Sequence, residues 1–481
     1  MGDDLAFKGH IKKALIKIMG KTWVKDDPIT LYSYRCDGLV LHPALPMGVV
    51  FPATTHQLCA VLRLFHEEQI SFLPRGAGTG LSGGAIPGQG SVIIEMFRFR
   101  AIEEIDEVNR TITVGPGVVN LDISKASNHL GLYFAPDPSS QKACTVGGNV
   151  GENSGGPHTL KYGVTVNHVL GLEMALPHGE LVTIGGKCFG SPGPDLLGLV
   201  IGSEGTFGIV TKIVCRLTPI PEKAVTMLGV FSSVGDASRT VSDIIRHGMI
   251  PAALEMIDQV VVQAVEKTLS AGFPTDAAAV LIIELEDLSH GLNEEAARIE
   301  TICLENGARE VRRAKDEAER AVIWRARKEA LGAIGAISPS YYTQDGVIPR
   351  SALPRVLDAM QAIAEKYDLV VANVFHAGDG NLHPLLLYNS QDAEQAERVQ
   401  AAGAEILEIC LEVGGALSGE HGIGLEKANL MGRVYNEDDL ENMKQVRRIF
   451  NPSNLLNPGK IFPQPGRCSE MKIAAKSGIV V

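Results

Sequence analysis

The sequence predicts an α+β protein, and three observations predict it. Residues 49–218 hold short β-rich runs separated by glycine and proline. Residues 217–222 (LTPIPE) form a proline-marked break. From 223 to about 431, long charged amphipathic helices alternate with apolar strand runs. In chain order, Ile11, Leu15 and Ile18 share one face of a short helix. The runs 48–52 (GVVFP), 70–73 (ISFL), 91–94 (SVII) and 111–114 (TITV) read as strands, and a helix over 55–68 with a threonine cap lies between the first two. Beyond the break, 279–284 (AVLIIE) and 369–375 (LVVANVF) read as strands and 292–306 and 316–331 as helices. The last helix covers 437–450 and a turn-rich stretch, 451–460, follows it.

Composition narrows the function. The 481 residues are 45% hydrophobic and 21% charged, which is globular rather than disordered. With 44 basic and 56 acidic side chains the net charge is −12, and without a Lys/Arg run a nucleic-acid partner is excluded. The eight cysteines (36, 59, 144, 188, 215, 303, 410 and 468) contain no Cys-x-x-Cys pair, so a zinc knuckle, an iron–sulfur motif and a thioredoxin-type pair are excluded. Their loose spacing fits a reduced, cytoplasmic setting. Lys8, Lys12, Lys13 and Lys17 break up the N-terminal stretch, which lacks the apolar core of about 7–15 residues that a signal peptide needs. No run of about 18 apolar residues exists, so membrane contact would come through a partner.

The 52 glycines are clustered. In residues 74–90 (PRGAGTGLSGGAIPGQG), Gly78, Gly80 and Gly83 satisfy GxGxxG, but the Rossmann reading needs a helix to start there, and Gly84, Pro87, Gly88 and Gly90 forbid one. What remains is a strand, an anion-cradling loop and another strand. Two more clusters, 137–156 and 202–210, suit close approach to one extended ligand with a flat heterocycle and a phosphate tail.

On the strings PRGAGTGLSGGA, GGNVGENSGG and GSEGTFGIV, the chain resembles the FAD-binding domain of the vanillyl-alcohol oxidase and p-cresol methylhydroxylase (PCMH) type. Within it, it resembles the group formed by the glycolate oxidase D-subunits and the D-lactate dehydrogenases. The resemblance implies FAD held by Pro74, Arg75, Gly76, Ala77, Gly78, Thr79 and Gly80, by Pro138, Gly147, Gly148, Asn149, Asn153, Gly155 and Gly156, by Glu204, Gly205 and Ile209, and by Asn457. Covalent members carry a histidine in the loop where this chain has Thr79 or its neighbours, so noncovalent FAD is expected. It further implies an FAD-binding domain over 1–220 with its PCMH-type core at 42–220, a substrate (cap) domain over 221–435, and a C-terminal segment, 436–481, that returns to the FAD domain through the string NPGK at 457–460.

The string FHAGDGNLHP (375–384) reads as a hairpin with His376 and His383 at facing ends of its strands, where opposed Cβ atoms lie roughly 4.5–5.5 Å apart. Two imidazoles so placed can share a metal, with Glu420 of SGEHGIG (418–424) as third ligand; a hairpin of two hydrogen-bonded histidines is the competing reading. The family resemblance implies the metal: His376, His383 and Glu420 as ligands of one divalent ion (Zn, Mn or Fe), His421 as general base and Arg327 as the clamp on the substrate carboxylate. Arg325 and Lys328 read as a solvated face, and the ten other histidines, His158 among them, as surface or core residues.

The expected reaction is oxidation of a 2-hydroxy acid to the 2-oxo acid by hydride transfer to flavin N5. D-2-hydroxyglutarate dehydrogenase relatives carry a lysine where this chain has Thr343, which favours glycolate or D-lactate. Electrons would leave to a partner: a second flavin subunit with an iron–sulfur subunit, an electron-transfer flavoprotein, or quinone or cytochrome. The expected location is cytoplasmic, peripheral to the membrane through that partner, and a homodimer is allowed. D-2-hydroxyglutarate dehydrogenase is the alternative within the class, and a metallohydrolase and a non-catalytic flavin electron-transfer subunit are the alternatives from other classes.

Overall fold

The computed structural model describes residues 7–188, 190, 192–287 and 291–464; Cys468 and the end of the C-terminal segment lie outside them. The helix Gly9–Met19 buries Ile11, Leu15 and Met19, while Ile18 is only partly covered. It packs on the helix Thr55–Glu67, whose Leu58, Val61, Leu62 and Phe65 are buried and whose cap is Thr54, accepting from the Gln57 N–H. Both cover a four-stranded sheet in the order Val24–Lys25, Gly48–Val50, Val92–Glu95, Phe72–Arg75. The last three strands are parallel, so the glycine loop leaves Arg75 at their carboxyl ends, where open parallel sheets place ligands.

A second, antiparallel sheet runs Ile102–Asp106, Thr111–Val114, Ile209–Arg216, Val169–Ala175, Leu181–Gly185. In Ile209–Arg216 buried and partly exposed residues alternate, as a strand with one covered face requires. The proline-marked break is itself pinned: Thr218–Pro219 pairs with Leu132–Tyr133.

Beyond the break a seven-stranded sheet runs Ala308–Arg313, Lys223–Phe231, Ala279–Asp287, Ala253–Asp258, Val370–Phe375, Pro384–Tyr388, Ser340–Thr343. Strand Ala279–Asp287 is apolar at consecutive positions because both faces are covered. Leu281, Ile283 and Leu285 join one core with the helices Val234–Arg246, Leu292–Glu305 and Leu353–Lys366, and Val280 and Ile282 join another with Gln259–Leu269 and Glu317–Lys328. The helix expected over 316–331 is two: Asp316 caps Glu317–Lys328, and a separate turn, Ala330–Ala333, follows Glu329. Among the described residues no helix is long and apolar enough to cross a membrane.

The register of the histidine hairpin corrects the sequence reading. Asn373 pairs with Pro384 and His376 with Asn381, so the two histidines are not opposed. The turn closes across Gly380, at φ +80°, and His383 sits two residues past the partner of His376. Two residues restore the same face of the pleat, so the rings meet diagonally with centroids 5.1 Å apart.

After the helix Glu437–Phe450 the chain returns to the first sheet. The Phe72 N–H donates to the Leu455 carbonyl, the Asn457 N–H donates to the Phe72 carbonyl, and Lys460 Nζ donates to the Gly83 and Ile86 carbonyls.

His158 is not the surface or core residue the sequence suggests but the centre of a charged junction. Its Nδ1 lies 3.0 Å from Asp137, its Nε2 3.3 Å from Glu284, and its ring lies against Trp324. Arg320 binds both Glu284 oxygens at 2.8 and 2.9 Å, and Lys328 lies 3.4 Å from Asp137. Burial opposes charge on His158, but Asp137 and Glu284 outweigh it and push the imidazole up to about 10. A group raised on folding stabilises fully below its unfolded value of about 6.5 and progressively less as pH rises through its folded value. His158→Gln should therefore cost stability at pH 6 and converge on the wild type above pH 10, read by chemical denaturation across that range.

Candidate functional site

One cavity of about 450 Å³ reaches from the glycine loop to the histidine hairpin. Its wall on the glycine-loop side is formed by 74–80 at the end of strand Phe72–Arg75, Gly147, Gly148 and Asn149 in the first turns of the helix Val146–Glu152, and Glu204, Gly205, Ile209, Pro138 and Asn457 around them. Gly78 has φ +67°, and the Arg75 guanidinium occupies the place of its missing Cβ. A Cβ on Gly80 would meet nothing within 4 Å. Such a wall of small residues fits an extended dinucleotide lying against backbone.

Asn153, Gly155 and Gly156 do not line that wall. Asn153, at φ 56°, ends the helix and accepts the Val166 N–H. Gly156 abuts the Asp137 backbone, and Gly155 lets Glu420 approach: a Cβ there would lie 2.8 Å from Glu420 Oε2. Glu204 lines the cavity, and its carboxylate accepts the Ile423 and Gly424 N–H groups at 2.7 and 2.6 Å.

At the other end His376 Nε2 and His383 Nε2 point at one oxygen, Glu420 Oε1, from 3.4 and 3.1 Å, and the three ligand atoms lie within 4.8 Å of one another. His383 Nε2 is buried, and Glu420 Oε1 is the acidic oxygen that faces it. The outer nitrogens are held: His376 Nδ1 by both Glu255 oxygens at 2.8 and 2.9 Å, His383 Nδ1 by the Gln344 carbonyl at 3.4 Å. Two imidazoles braced from behind with a carboxylate between them fit a divalent cation. Burial opposes ionised Glu420, but the two rings beside it hold its carboxyl well below the usual range. Burial likewise opposes charge on His376, and Glu255 outweighs it and pushes the imidazole up.

His421 stacks on His383 with centroids 4.9 Å apart and planes 12° apart. Burial pushes its imidazole down to about 4, leaving it neutral near pH 7, and its Nδ1 has no hydrogen-bond partner among the described residues. Arg327, 3% exposed, faces the cavity, with Nε and Nη2 at 2.7 and 2.5 Å from Glu255. That leaves the Nη1 side of the guanidinium for another anion. Arg325 is exposed, as a solvated face requires, but Lys328 lines the cavity and spends its ammonium on Asp137.

Sequence reasoning missed Glu255 and Asp345. Both are fully buried. Asp345 accepts the Ser418 hydroxyl, the N–H groups of Gly419, Glu420 and His421, and Lys427 Nζ at 3.2 Å, and so shapes the turn that carries Glu420 and His421. A lone acid inside the apolar run 252–257 (AALEMI) is the signal for Glu255, since acids are rarely buried unpaired.

The family described as "FAD binding domain" matches residues 46–185, and that described as "FAD linked oxidases, C-terminal domain" matches 220–461. The chain is 47% identical over 437 residues to glycolate oxidase subunit GlcD of Escherichia coli (strain K12), covering 91% of this chain and 88% of that protein. It is 39% identical over 458 residues to the Bacillus subtilis (strain 168) protein of the same name, covering 95% and 97%. To D-lactate dehydrogenase of Anaerostipes hadrus it is 33% identical over 427 residues, covering 87% and 90%. The crystal structure of p-cresol methylhydroxylase with substrate bound matches with a TM-score of 0.81 at 18% identity, over 96% of this chain and 97% of that one, which shows a shared fold.

Removing the Asp345 charge strands the buried Lys427 ammonium, and breaking a buried pair in this way costs about 3–5 kcal/mol. Asp345→Asn should lower unfolding stability by that order, measured by denaturant titration.

Proposed function

The chain belongs to the FAD-linked oxidases, and from that premise we propose that it oxidises a small 2-hydroxy acid, glycolate or D-lactate, to the 2-oxo acid. The observation that carries this reading is the single cavity whose wall includes the glycine cradle together with Arg327, His376, His383, Glu420 and His421. The names of the relatives, glycolate oxidase subunit and D-lactate dehydrogenase, support the substrate class.

In this reading FAD, held noncovalently at the loop with Thr79, supplies the hydride acceptor, and a divalent ion at His376, His383 and Glu420 supplies a Lewis acid for the substrate hydroxyl. Arg327 orients the substrate carboxylate through its Nη1 side. His421, neutral and unpartnered at Nδ1, takes the hydroxyl proton on an imidazole nitrogen. Thr343, Tyr341, Leu331 and Val374 line the same cavity and offer no cation for a second carboxylate, which supports a monocarboxylate. The same reading divides the chain into an FAD-binding domain through 220, a substrate domain over 221–435 and a C-terminal segment that closes on the first. Electrons then pass to a partner protein, to which the word "subunit" in the relatives' names lends support, and any membrane contact is made through that partner.

The test is anaerobic: glycolate, D-lactate, L-lactate and D-2-hydroxyglutarate are added separately to the purified protein and flavin absorbance is followed with and without chelator. Glycolate or D-lactate should bleach the flavin and chelation should abolish the bleaching. Colourless protein, or flavin that no hydroxy acid reduces, would sink the proposal. His421→Asn should retain flavin and slow its reduction by about 10²–10⁴-fold, the usual worth of a positioned base. Glu255→Gln should weaken divalent-metal affinity by about 10–100-fold, as loss of a partner behind a histidine ligand does, read by metal titration.

A further inference from the structure

Glu152 is the last residue of the helix Val146–Glu152 and lines the cavity beside Gly148, Asn149 and Gly151. Its Oε2 is buried and has no hydrogen-bond partner among the described residues. Two glycines locate the carboxyl group. A Cβ on Gly84 would lie 2.9 Å from Oε1, and one on Gly422 would lie 2.5 Å from Oε2. Gly84 belongs to the flavin-side glycine loop and Gly422 directly follows His421, so the carboxyl stands at the seam between cradle and catalytic turn.

The charged groups around it are Glu204, Asp37, Lys427 and Lys460. Lys427 is bound to Asp345 and the Gly422 carbonyl, Lys460 to the Gly83 and Ile86 carbonyls, and Glu204 to the Ile423 and Gly424 N–H groups. Burial first, and then Glu204, raise the Glu152 carboxyl well above its ordinary range, which favours its protonated form. A neutral carboxylic acid is a hydrogen-bond donor.

A cofactor that takes hydride from a substrate between Arg327 and His421 must bring its redox-active ring to this seam, with the phosphate tail left to the glycine loops. We propose that Glu152 contacts the bound flavin ring and donates a hydrogen bond from its carboxyl group to the ring's acceptor edge. The inference rests on the function proposed above. Two-electron reduction adds negative charge to that edge, so the donor binds the reduced ring more strongly than the oxidised one.

The experiment compares wild type, Glu152→Gln and Glu152→Leu by FAD titration of the apoprotein and by the flavin midpoint potential. Glu152→Leu should bind FAD about tenfold more weakly and disfavour the reduced form about tenfold, a potential about 30 mV lower. Glu152→Gln, which keeps a donor, should stay within about twofold of wild type on both readouts. Glu152→Leu matching wild type would overturn the proposal. So would Glu152→Gln with a clearly raised potential, because that means the native carboxyl is ionised; this variant decides the matter if the leucine variant does not fold. Wild-type protein that binds no FAD would instead defeat the proposed function itself.

Discussion

Glu255 carries a buried charge in the middle of the seven-stranded sheet, and the substrate end of the cavity is organised by the need to compensate it. An isolated carboxylate there is prohibitively costly, so it must be met by cationic or donor groups. Arg327 arrives from the helix Glu317–Lys328 and His376 from the end of the neighbouring strand, where Met256 pairs with Phe375. The consequences are geometric. Arg327 is held by its Nε–Nη2 edge, and His376 is held by Nδ1, which turns Nε2 toward Glu420 and His383. One carboxylate thus orients both the group proposed to seat the substrate and one of the groups proposed to hold the metal.

The turn over 418–424 is fixed by two more carboxylates, one from each side of the cavity. Asp345 gathers the N–H groups of residues 419–421 and Glu204 those of 423 and 424. Successive backbone N–H groups around an anion form a rigid nest, and here two nests in series stitch the turn that carries Glu420 and His421 to the wall that carries the glycine loop. The returning tail adds to the seam: Asn457 donates to the Gly84 and Glu204 carbonyls.

What the sequence made legible was local. The glycine strings, the histidine hairpin and GEHG are contiguous, and their chemistry is carried by backbone conformations or side chains a few residues apart. Glu255, Asp345 and Lys427 were not legible, because the ion pairs Glu255–Arg327 and Asp345–Lys427 join residues 70 or more positions apart. His158 was missed for the same reason, its partner Glu284 being 126 positions on. Glu204 sits in a glycine-rich string that points to a flavin contact, and its hold on the N–H groups of 423 and 424, some 220 positions away, was not legible there. The hairpin differs by register alone: opposing His376 to His383 requires a six-residue loop, whereas the chain closes a four-residue one across Gly380 and reaches the same face two residues later.

The distribution of committed cations argues for the size of the proposed substrate. Among the described residues around the hydroxy-acid end, Lys328 is spent on Asp137 and Lys427 on Asp345, and Arg327 has one side taken by Glu255. One guanidinium side remains, enough for one carboxylate in bidentate or single contact. A second carboxylate would have to lose its water against Leu331, Val374, Tyr341 and Thr343. A hydroxyl returns only part of what a desolvated anion loses, and leaving a charged group poorly paired costs several kcal/mol in a buried site, on the order that separates a substrate from a non-substrate. The methyl of D-lactate or the hydrogen of glycolate meets no such penalty on the same wall. Selectivity against dicarboxylates in this reading therefore comes from the absence of a partner for the second charge, with no steric barrier required.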